Sequence, residues 1–140
     1  TLCPDCSCVY YKKAWHHDLS NHKKLTDDHH AKIGRCPSCM MWRDHQWEGE
    51  VRIQNVPKDA REEMMHLIMH LSQSAFENNP MHRVFDISTK KDTLTVFVSE
   101  NQLAQSIARK IHEAFKSHIS KPVIHKGKED SPILATIEWK

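Results

Sequence analysis

The sequence predicts an α+β fold, in which a small cysteine-rich unit over residues 1–48 precedes a larger α/β domain over residues 49–140. Two observations support this division. All five cysteines of the chain lie before Gly49, and the residues after it show clear strand-like and helix-like spacings of apolar side chains. A chain of 140 residues is long enough to bury an ordinary hydrophobic core.

Two Cys-Pro-x-Cys knuckles, at residues 3–6 and 36–39, organise the first unit. Two intervening residues let one tight turn aim both sulfurs of a pair at a common ion, and zinc takes four such thiolates at about 2.3 Å. The proline of each knuckle fixes φ and removes an amide donor, which suits a turn whose remaining N–H groups point at the sulfurs. A disulfide framework would need an oxidising compartment, and a dithiol redox motif would not need a second pair. We therefore predict a zinc ribbon with one site, whose ligands are Cys3, Cys6, Cys36 and Cys39.

The segment between the knuckles, residues 7–35, is longer than the roughly 15 to 20 residues usual in a structural zinc ribbon. Its apolar and aromatic run at residues 9–15 predicts a first β-hairpin, and we expect Trp15 to cover the metal site. Cys8 either competes for the metal or packs as a small side chain under the knuckle. Residues 40–47 again place bulky and basic side chains after a cysteine pair, which predicts a pseudo-repeat.

The insert from residue 16 to residue 32 shows no apolar period and predicts a solvated loop with a short helix. It is rich in histidine, so a second metal site is an alternative to a plain surface loop. The histidines in question are His16, His17, His22, His29 and His30.

Alternating apolar side chains predict four strands in the second domain. Residues 50–54 alternate first, residues 85–89 and 94–98 form a hairpin around the turn at 90–92, and residues 133–139 alternate last.

Two helices are predicted between these strands. The first begins at Asp59 as N-cap and ends at Asn78-Asn79-Pro80, and the second begins at a capping box formed by Ser99 and Gln102. Their apolar stripes are Met64, Leu67, Ile68, Leu71 and Ala75, and then Leu103, Ile107, Ile111 and Phe115.

The predicted order β-α-β-β-α-β is that of the ferredoxin-like plan, in which an antiparallel sheet packs both helices on one face and the other face stays open. RNA-recognition modules of this topology stack bases on about two or three aromatic residues, whereas this open face offers Phe97 alone. We expect its apolar members to pack against the zinc ribbon or a second copy of the chain. The residues assigned to this face are Arg52, Gln54, Val84, Asp86, Ser88, Thr93, Thr95, Phe97, Leu134, Thr136 and Glu138.

Composition indicates a globular protein, with 39% hydrophobic and 27% charged residues. No apolar run approaches the roughly 18 residues of a membrane span, and residues 1–3 lack the pattern of a signal peptide. We therefore expect a cytoplasmic protein whose cysteines stay reduced and which has no membrane partner. The formal net charge is only +2, but residues 116–128 contain four lysines and no Asp or Glu.

These features together resemble a family of small, uncharacterised bacterial zinc-ribbon proteins. The resemblance rests on the twin knuckles, a tryptophan after each, the strand opened by Gly49 and Val51, and the segments at residues 61–63, 79–83 and 103–104. The ribbon is also similar to that of the archaeal and eukaryotic adaptor that escorts large ribosomal subunits to export. The family implies no activity, whereas the adaptor implies contact with the ribosome or structured RNA. Family knuckles continue with glycine, but Ser7 and Met40 follow here.

We predict a non-enzymatic protein that contacts RNA or the ribosome through the ribbon and the basic loop, with Tyr11, Trp15 or Trp42 available for stacking. The predicted phosphate contacts are Lys12, Lys13, Arg35, Arg43, Lys116, Lys121, Lys126 and Lys128. The alternative is a protein-interaction module, dimeric through the open sheet face, with purely structural zinc. An enzyme is disfavoured because four thiolates leave a zinc ion no open position, and three glycines cannot build a phosphate-cradling loop. No small-molecule substrate is indicated.

Overall fold

The computed structural model describes residues 1–11, 13–17, 33–126 and 132–140. Within these ranges the chain forms a mixed α+β structure with one two-stranded and one five-stranded sheet. None of the helices in the described ranges has a stretch long and apolar enough to span a bilayer.

The N-terminal unit consists of a hairpin and a short helix. Strand β1 (Val9–Tyr11) pairs antiparallel with β2 (Ala14–His16), which confirms the predicted first hairpin. The second knuckle instead opens helix α1 (Pro37–Arg43), with Pro37 at the start of the helix. The two knuckles therefore lead into different structures. The β-branched and aromatic residues 9–11 that follow the first knuckle favour a strand, whereas Met40, Met41 and Arg43 after the second favour a helix.

The large sheet has the strand order β4-β5-β3-β7-β6. Its strands are β3 (Gly49–Gln54), β4 (Val84–Lys90), β5 (Thr93–Val98), β6 (Val123–His125) and β7 (Ile133–Glu138). The central pair, β3 and β7, is parallel, and the other neighbours are antiparallel. The prediction of an antiparallel sheet is therefore wrong at this pair, because strand β6 reverses the chain before β7. All four predicted strands are present. Strand β6 is an additional edge strand within the stretch that the sequence predicts to be a basic loop.

Two helices cover one face of this sheet, α2 (Lys58–Asn78) and α3 (Asn101–Ala114). The predicted stripes face the core: Met64 and Ile68 of α2 and Ile107 and Ile111 of α3 are at most 1% exposed. They pack against the inward side chains of the strands, which are Val51, Ile53, Leu94, Val96, Val98, Ala135 and Ile137.

Both predicted helix starts are displaced. Helix α2 has Pro57 as N-cap without a side-chain cap, and Asp59 lies in its first turn. Helix α3 has Glu100 as N-cap. Ser99 does not cap it, because its hydroxyl oxygen accepts a hydrogen bond from the backbone N–H of Arg83 at 2.9 Å.

A β-bulge exchanges two side chains between the faces of the sheet. Val84 pairs with Val98 while Asp86 pairs with Phe97, so that Phe85 is the extra residue of β4. The prediction that Val84 lies on the open face is therefore wrong: Val84 packs against the core, and Phe85 contacts Trp42 on the opposite side. A bulge of this kind reverses the alternation on one side of the extra residue.

Gly49 lets β3 begin against helix α3. A Cβ atom here would lie 2.8 Å from Ala104 Cβ and 2.9 Å from Val98 Cγ2, which is closer than packed carbons approach. The predicted boundary between the two units thus falls at a close contact between β3 and α3.

The core makes a stability prediction for Ile107, which is 1% exposed at the centre of the α3 stripe. Ile107→Ala should lower the free energy of unfolding by about 2–5 kcal/mol, because it leaves a cavity under the sheet. Urea titration followed by circular dichroism measures this difference. The exposed Arg109→Ala on the same helix is the control and should change it by less than about 0.5 kcal/mol. Equal values for the two variants would show that α3 is oriented differently.

Candidate metal centre

The first knuckle is a tight turn closed by its own backbone. Ser7 N–H donates to Cys3 O at 3.0 Å, and Cys3 N–H donates to Cys8 O at 2.9 Å. Ser7 has φ 65°, the left-handed region that favours glycine. Glycine would adopt this conformation without steric cost, so Ser7 is an unusual residue at this position.

The second knuckle places its two sulfurs by starting a helix. Cys36 is the N-cap of α1, and its Sγ accepts a hydrogen bond from the backbone N–H of Cys39 at 3.4 Å. Because this turn continues as helix, Met40 does not need the left-handed conformation that Ser7 adopts. Ser38, between the two cysteines, is 3% exposed and donates its hydroxyl proton to Met81 O at 2.7 Å.

The four predicted ligands come together. The Sγ atoms of Cys3, Cys6, Cys36 and Cys39 all lie within 4.8 Å of one another, and the Cys6–Cys36 pair is 3.7 Å apart. Four thiolates at about 2.3 Å from a tetrahedral ion would be separated by about 3.8 Å, so the donor set fits such an ion. All five cysteines lie in the described residues, and none forms a disulfide. Four cysteines that can hold one metal ion are therefore present, and no second group of three or more ligands occurs in the described part of the chain.

The guanidinium of Arg83 lies directly against these sulfurs. Its Nη1 donates to Cys39 Sγ at 3.2 Å, and its Nη2 donates to Cys6 Sγ at 3.1 Å. Nη2 also lies 3.3 Å from Cys8 Sγ and 3.7 Å from Cys36 Sγ. One cation therefore contacts both knuckles and the fifth cysteine.

Contacts outside the cysteine cluster hold Arg83 in this position. Its Nε donates to Pro80 O at 2.8 Å, its backbone N–H is bound by Ser99, and its guanidinium carbon lies 5.3 Å from the centre of the Phe76 ring. These contacts come from the end of α2, the turn after it and the end of β5. The α/β domain thus supplies the cation of a site whose sulfurs come from the N-terminal unit.

The arginine changes the acidity of the cysteines unequally. Burial alone would raise the pKa of Cys6, but the hydrogen bond from Arg83 and the backbone N–H of Cys8 lower it to about 6. Burial and the neighbouring Cys6 raise the pKa of Cys8 to about 12. Burial likewise raises the pKa of Cys36 and of Cys39. Cys6 is thus the thiolate that the site stabilises without a metal ion.

Cys8 is fully buried and belongs to the surroundings of the site. Its Sγ is not in the group of four mutually close sulfurs, and it faces the Arg83 guanidinium. Cys8 therefore lies beside the cluster, as the alternative of a packed thiol predicts.

An aromatic cluster joins the N-terminal unit to the open face of the sheet. The Trp42 ring stacks on Phe85 with centroids 5.3 Å apart, and the Trp47 ring meets Phe97 edge-on at 4.9 Å. Trp47 also donates its indole N–H to Glu50 at 2.7 Å. Phe97 is partly buried against Trp42 and Trp47 of the ribbon, which is one of the two packing partners predicted for it.

The predicted phosphate contacts are spread between opposite edges of the five-stranded sheet. Arg35 is paired with Asp5, and Arg43 with Asp44 at 3.2 Å. Lys13, Lys116, Lys121 and Lys126 are exposed. Lys12 and Lys128 lie outside the described residues. Four strand spacings of about 4.8 Å separate β4, beside the cysteines, from β6, beside the basic segment.

The aromatic residues predicted to stack have other contacts. Trp42 lies in the aromatic cluster, and the Trp15 ring contacts Tyr10 with centroids 5.4 Å apart. The group in contact with the sulfurs is the Arg83 guanidinium. Among the insert histidines, His17 packs edge-on against Phe76 and contacts its carbonyl oxygen. His22, His29 and His30 lie outside the described residues.

Comparison of the chain with protein-family models, with curated proteins and with solved structures finds no match. The resemblance to the bacterial zinc-ribbon family therefore stays a prediction.

The cluster predicts that metal retention depends on Cys39 and not on Cys8. Cys39→Ser should reduce the metal content of the purified protein from about one ion per chain to near zero, because a structural site needs all four thiolates. The helical circular dichroism of α2 and α3 should remain, since their core does not include the cysteines. Cys8→Ser, a matched change beside the same sulfurs, should keep its metal. Stoichiometric metal in Cys39→Ser, by atomic emission, would show that this set is not the site.

Proposed function

We propose that the chain is a non-enzymatic zinc protein that binds RNA, with the ribosome as its natural context. The zinc ion is structural, held by Cys3, Cys6, Cys36 and Cys39. The exposed basic segment around β6 is the principal contact with phosphates.

The closed donor set supports structural zinc. Four thiolates complete a tetrahedron and leave no position for water or substrate, which separates this set from those of catalytic zinc sites. Iron is the other ion that tetrahedral thiolates hold, so metal analysis of the purified protein distinguishes the two. Thiolate ligands also need a reducing compartment, which favours the cytoplasm.

The observation that carries the RNA proposal is a set of exposed lysines that form no ion pair with the acidic residues that the structure describes. Lys116, Lys121 and Lys126 are exposed, and no lysine takes part in the ion pairs found between described residues. Cations that are not already neutralised are the groups that replace the counterions of a nucleic-acid backbone.

An exposed aromatic surface lies beside these lysines. The His118 ring stacks on Trp139, with centroids 5.3 Å apart and ring planes 5° from parallel, and His118 is an exposed residue. A flat ring next to cations can accept a stacked base, which is how single-stranded RNA is bound without sequence preference. The nearby Glu138 carboxylate accepts a hydrogen bond from Asn55 at 3.0 Å.

The sheet supports assigning residues 49–140 to the ferredoxin-like plan, with β6 as an added edge strand. Strands β4, β5, β3 and β7 follow one another across the sheet, and both helices lie on one face, as in that plan. The parallel pairing of β3 and β7 departs from its antiparallel sheet, because the added strand β6 reverses the chain before β7. On this assignment the face that carries RNA in RNA-recognition modules is partly covered by the ribbon. The proposed RNA surface is the β6 edge instead.

The proposal predicts a change in the salt dependence of RNA binding. Changing Lys116, Lys121 and Lys126 to Ala removes three phosphate contacts, so the slope of log affinity against log salt should become shallower by about 2 units for a single strand. Fluorescence anisotropy with an oligouridine at several salt concentrations measures the slope. The control replaces three exposed lysines elsewhere, Lys58, Lys90 and Lys110, and should leave it unchanged.

Two results would contradict this assignment. Equal slopes for the two triple variants would show that the β6 segment is not the contact. Undetectable binding of the wild type to RNA and to ribosomal particles at low salt would remove RNA binding altogether and leave the protein-interaction alternative.

A further inference from the structure

Arg83 is an arginine whose charged group lies among sulfurs instead of carboxylates. Arg83 is half-buried, and a guanidinium that is partly withdrawn from water costs free energy unless negative charge and hydrogen-bond acceptors replace the water. It also cannot become neutral by losing its proton. The acceptors that it contacts are the sulfurs of Cys6 and Cys39, at 3.1 and 3.2 Å, and as metal ligands these sulfurs would be thiolates.

The thiolates in turn need a cation. Four thiolates around a divalent ion leave a net charge of about −2, which is unfavourable in a partly buried site. Cys3 and Cys36 are at most 1% exposed, so water can offset little of this charge there. The single charge of Arg83 halves it.

The two terminal nitrogens of the Arg83 guanidinium contact different knuckles, which a single charge–charge contact could not do. Nη1 is bound to Cys39 of the second knuckle, and Nη2 to Cys6 of the first. The planar fork therefore spans both pairs of ligands. A lysine ammonium would bring the same charge at one point, without the fixed fork.

We propose that Arg83 is the cationic cap of the metal centre: hydrogen bonds from its guanidinium hold Cys6 and Cys39 as metal-bound thiolates, which retain the ion and resist attack by electrophiles. This inference rests on the proposed metal site. It assigns a role to the segment at residues 79–83, which resembles the bacterial family and which metal binding alone does not explain.

The anchoring of Arg83 indicates that the cap is preorganised. Pro80 and Ser99 bind atoms of Arg83 that do not face the sulfurs, and Phe76 lies against its guanidinium. The same segment is fastened to the second knuckle, since Met81 O accepts the hydroxyl proton of Ser38 and Met81 N–H donates to Asn79 Oδ1 at 2.9 Å. Groups that orient metal ligands from outside the first shell act in this way.

The test compares zinc-loaded full chains of the wild type, Arg83→Met, Arg83→Lys and the control Arg52→Met. Arg52 lies in the sheet, 3.6 Å from Glu50, and its loss removes one guanidinium without touching a cysteine. Two rates are measured: transfer of zinc to a chromophoric chelator, and alkylation of the cysteines by iodoacetamide, followed by mass spectrometry. Arg83→Met should release zinc about 10- to 100-fold faster than the wild type and be alkylated faster, with Arg83→Lys between them and Arg52→Met unchanged.

The outcomes separate the cap from the metal site itself. A wild type that binds zinc, together with an Arg83→Met variant that releases zinc and is alkylated at the wild-type rates, would overturn the cap alone. A wild type that takes up no zinc would overturn the metal site and the cap with it. If Arg83→Met lacks the helical circular dichroism of the wild type, Arg83→Lys decides: faster release supports the cap, and the wild-type rate overturns it.

Discussion

The contact between the Arg83 guanidinium and the cysteine sulfurs is the interaction on which the two halves of this structure depend. Each side would be unfavourable by itself, because clustered thiolates repel one another and a guanidinium away from water has no compensating charge. Together they neutralise part of each other's charge at distances of 3.1 and 3.2 Å. The surroundings of the candidate metal site therefore extend beyond its four cysteines into the turn between α2 and β4.

The aromatic cluster strengthens the same junction by burying apolar surface. Trp42 and Trp47 lie over Phe85 and Phe97, on the two strands at one side of the sheet. The other half of this face, on β3 and β7, carries polar side chains such as Arg52 and Thr136. The open face of the sheet is thus divided into a covered aromatic half and an uncovered polar half.

Local patterns predicted those parts of the fold that local chemistry determines. The spacing of the cysteines predicted their cluster, because ligand geometry depends on a few consecutive residues. Apolar periodicity predicted strands β3, β4, β5 and β7 and the buried stripes of α2 and α3. It could not predict the bulge at Phe85, because one extra residue inverts the alternation without leaving a compositional trace. Strand β6 was missed because three residues are too few to show a period.

The role of Arg83 could not be predicted in this way because it depends on distant parts of the chain. Cys39 and Cys6 precede it by 44 and 77 residues, and an isolated arginine after a turn reads as a surface residue. Ser99 was wrongly predicted to cap a helix for a similar reason. Nothing near Ser99 in the sequence indicates that its hydroxyl oxygen accepts a hydrogen bond from the distant Arg83 N–H. The one available signal was the predicted resemblance of residues 79–83 to the bacterial family.

The position of Arg83 in the chain also has a consequence for biosynthesis. A ribosome synthesises both knuckles before it reaches the turn after α2, so all four cysteines emerge first and their cation follows later. During that interval Cys6 and Cys39 lack the N–H donors that cover them in the folded chain, and they are open to oxidants and to competing metals. Any cellular factor that protects nascent cysteines would therefore act on this chain only until the α2–β4 turn packs against the second knuckle.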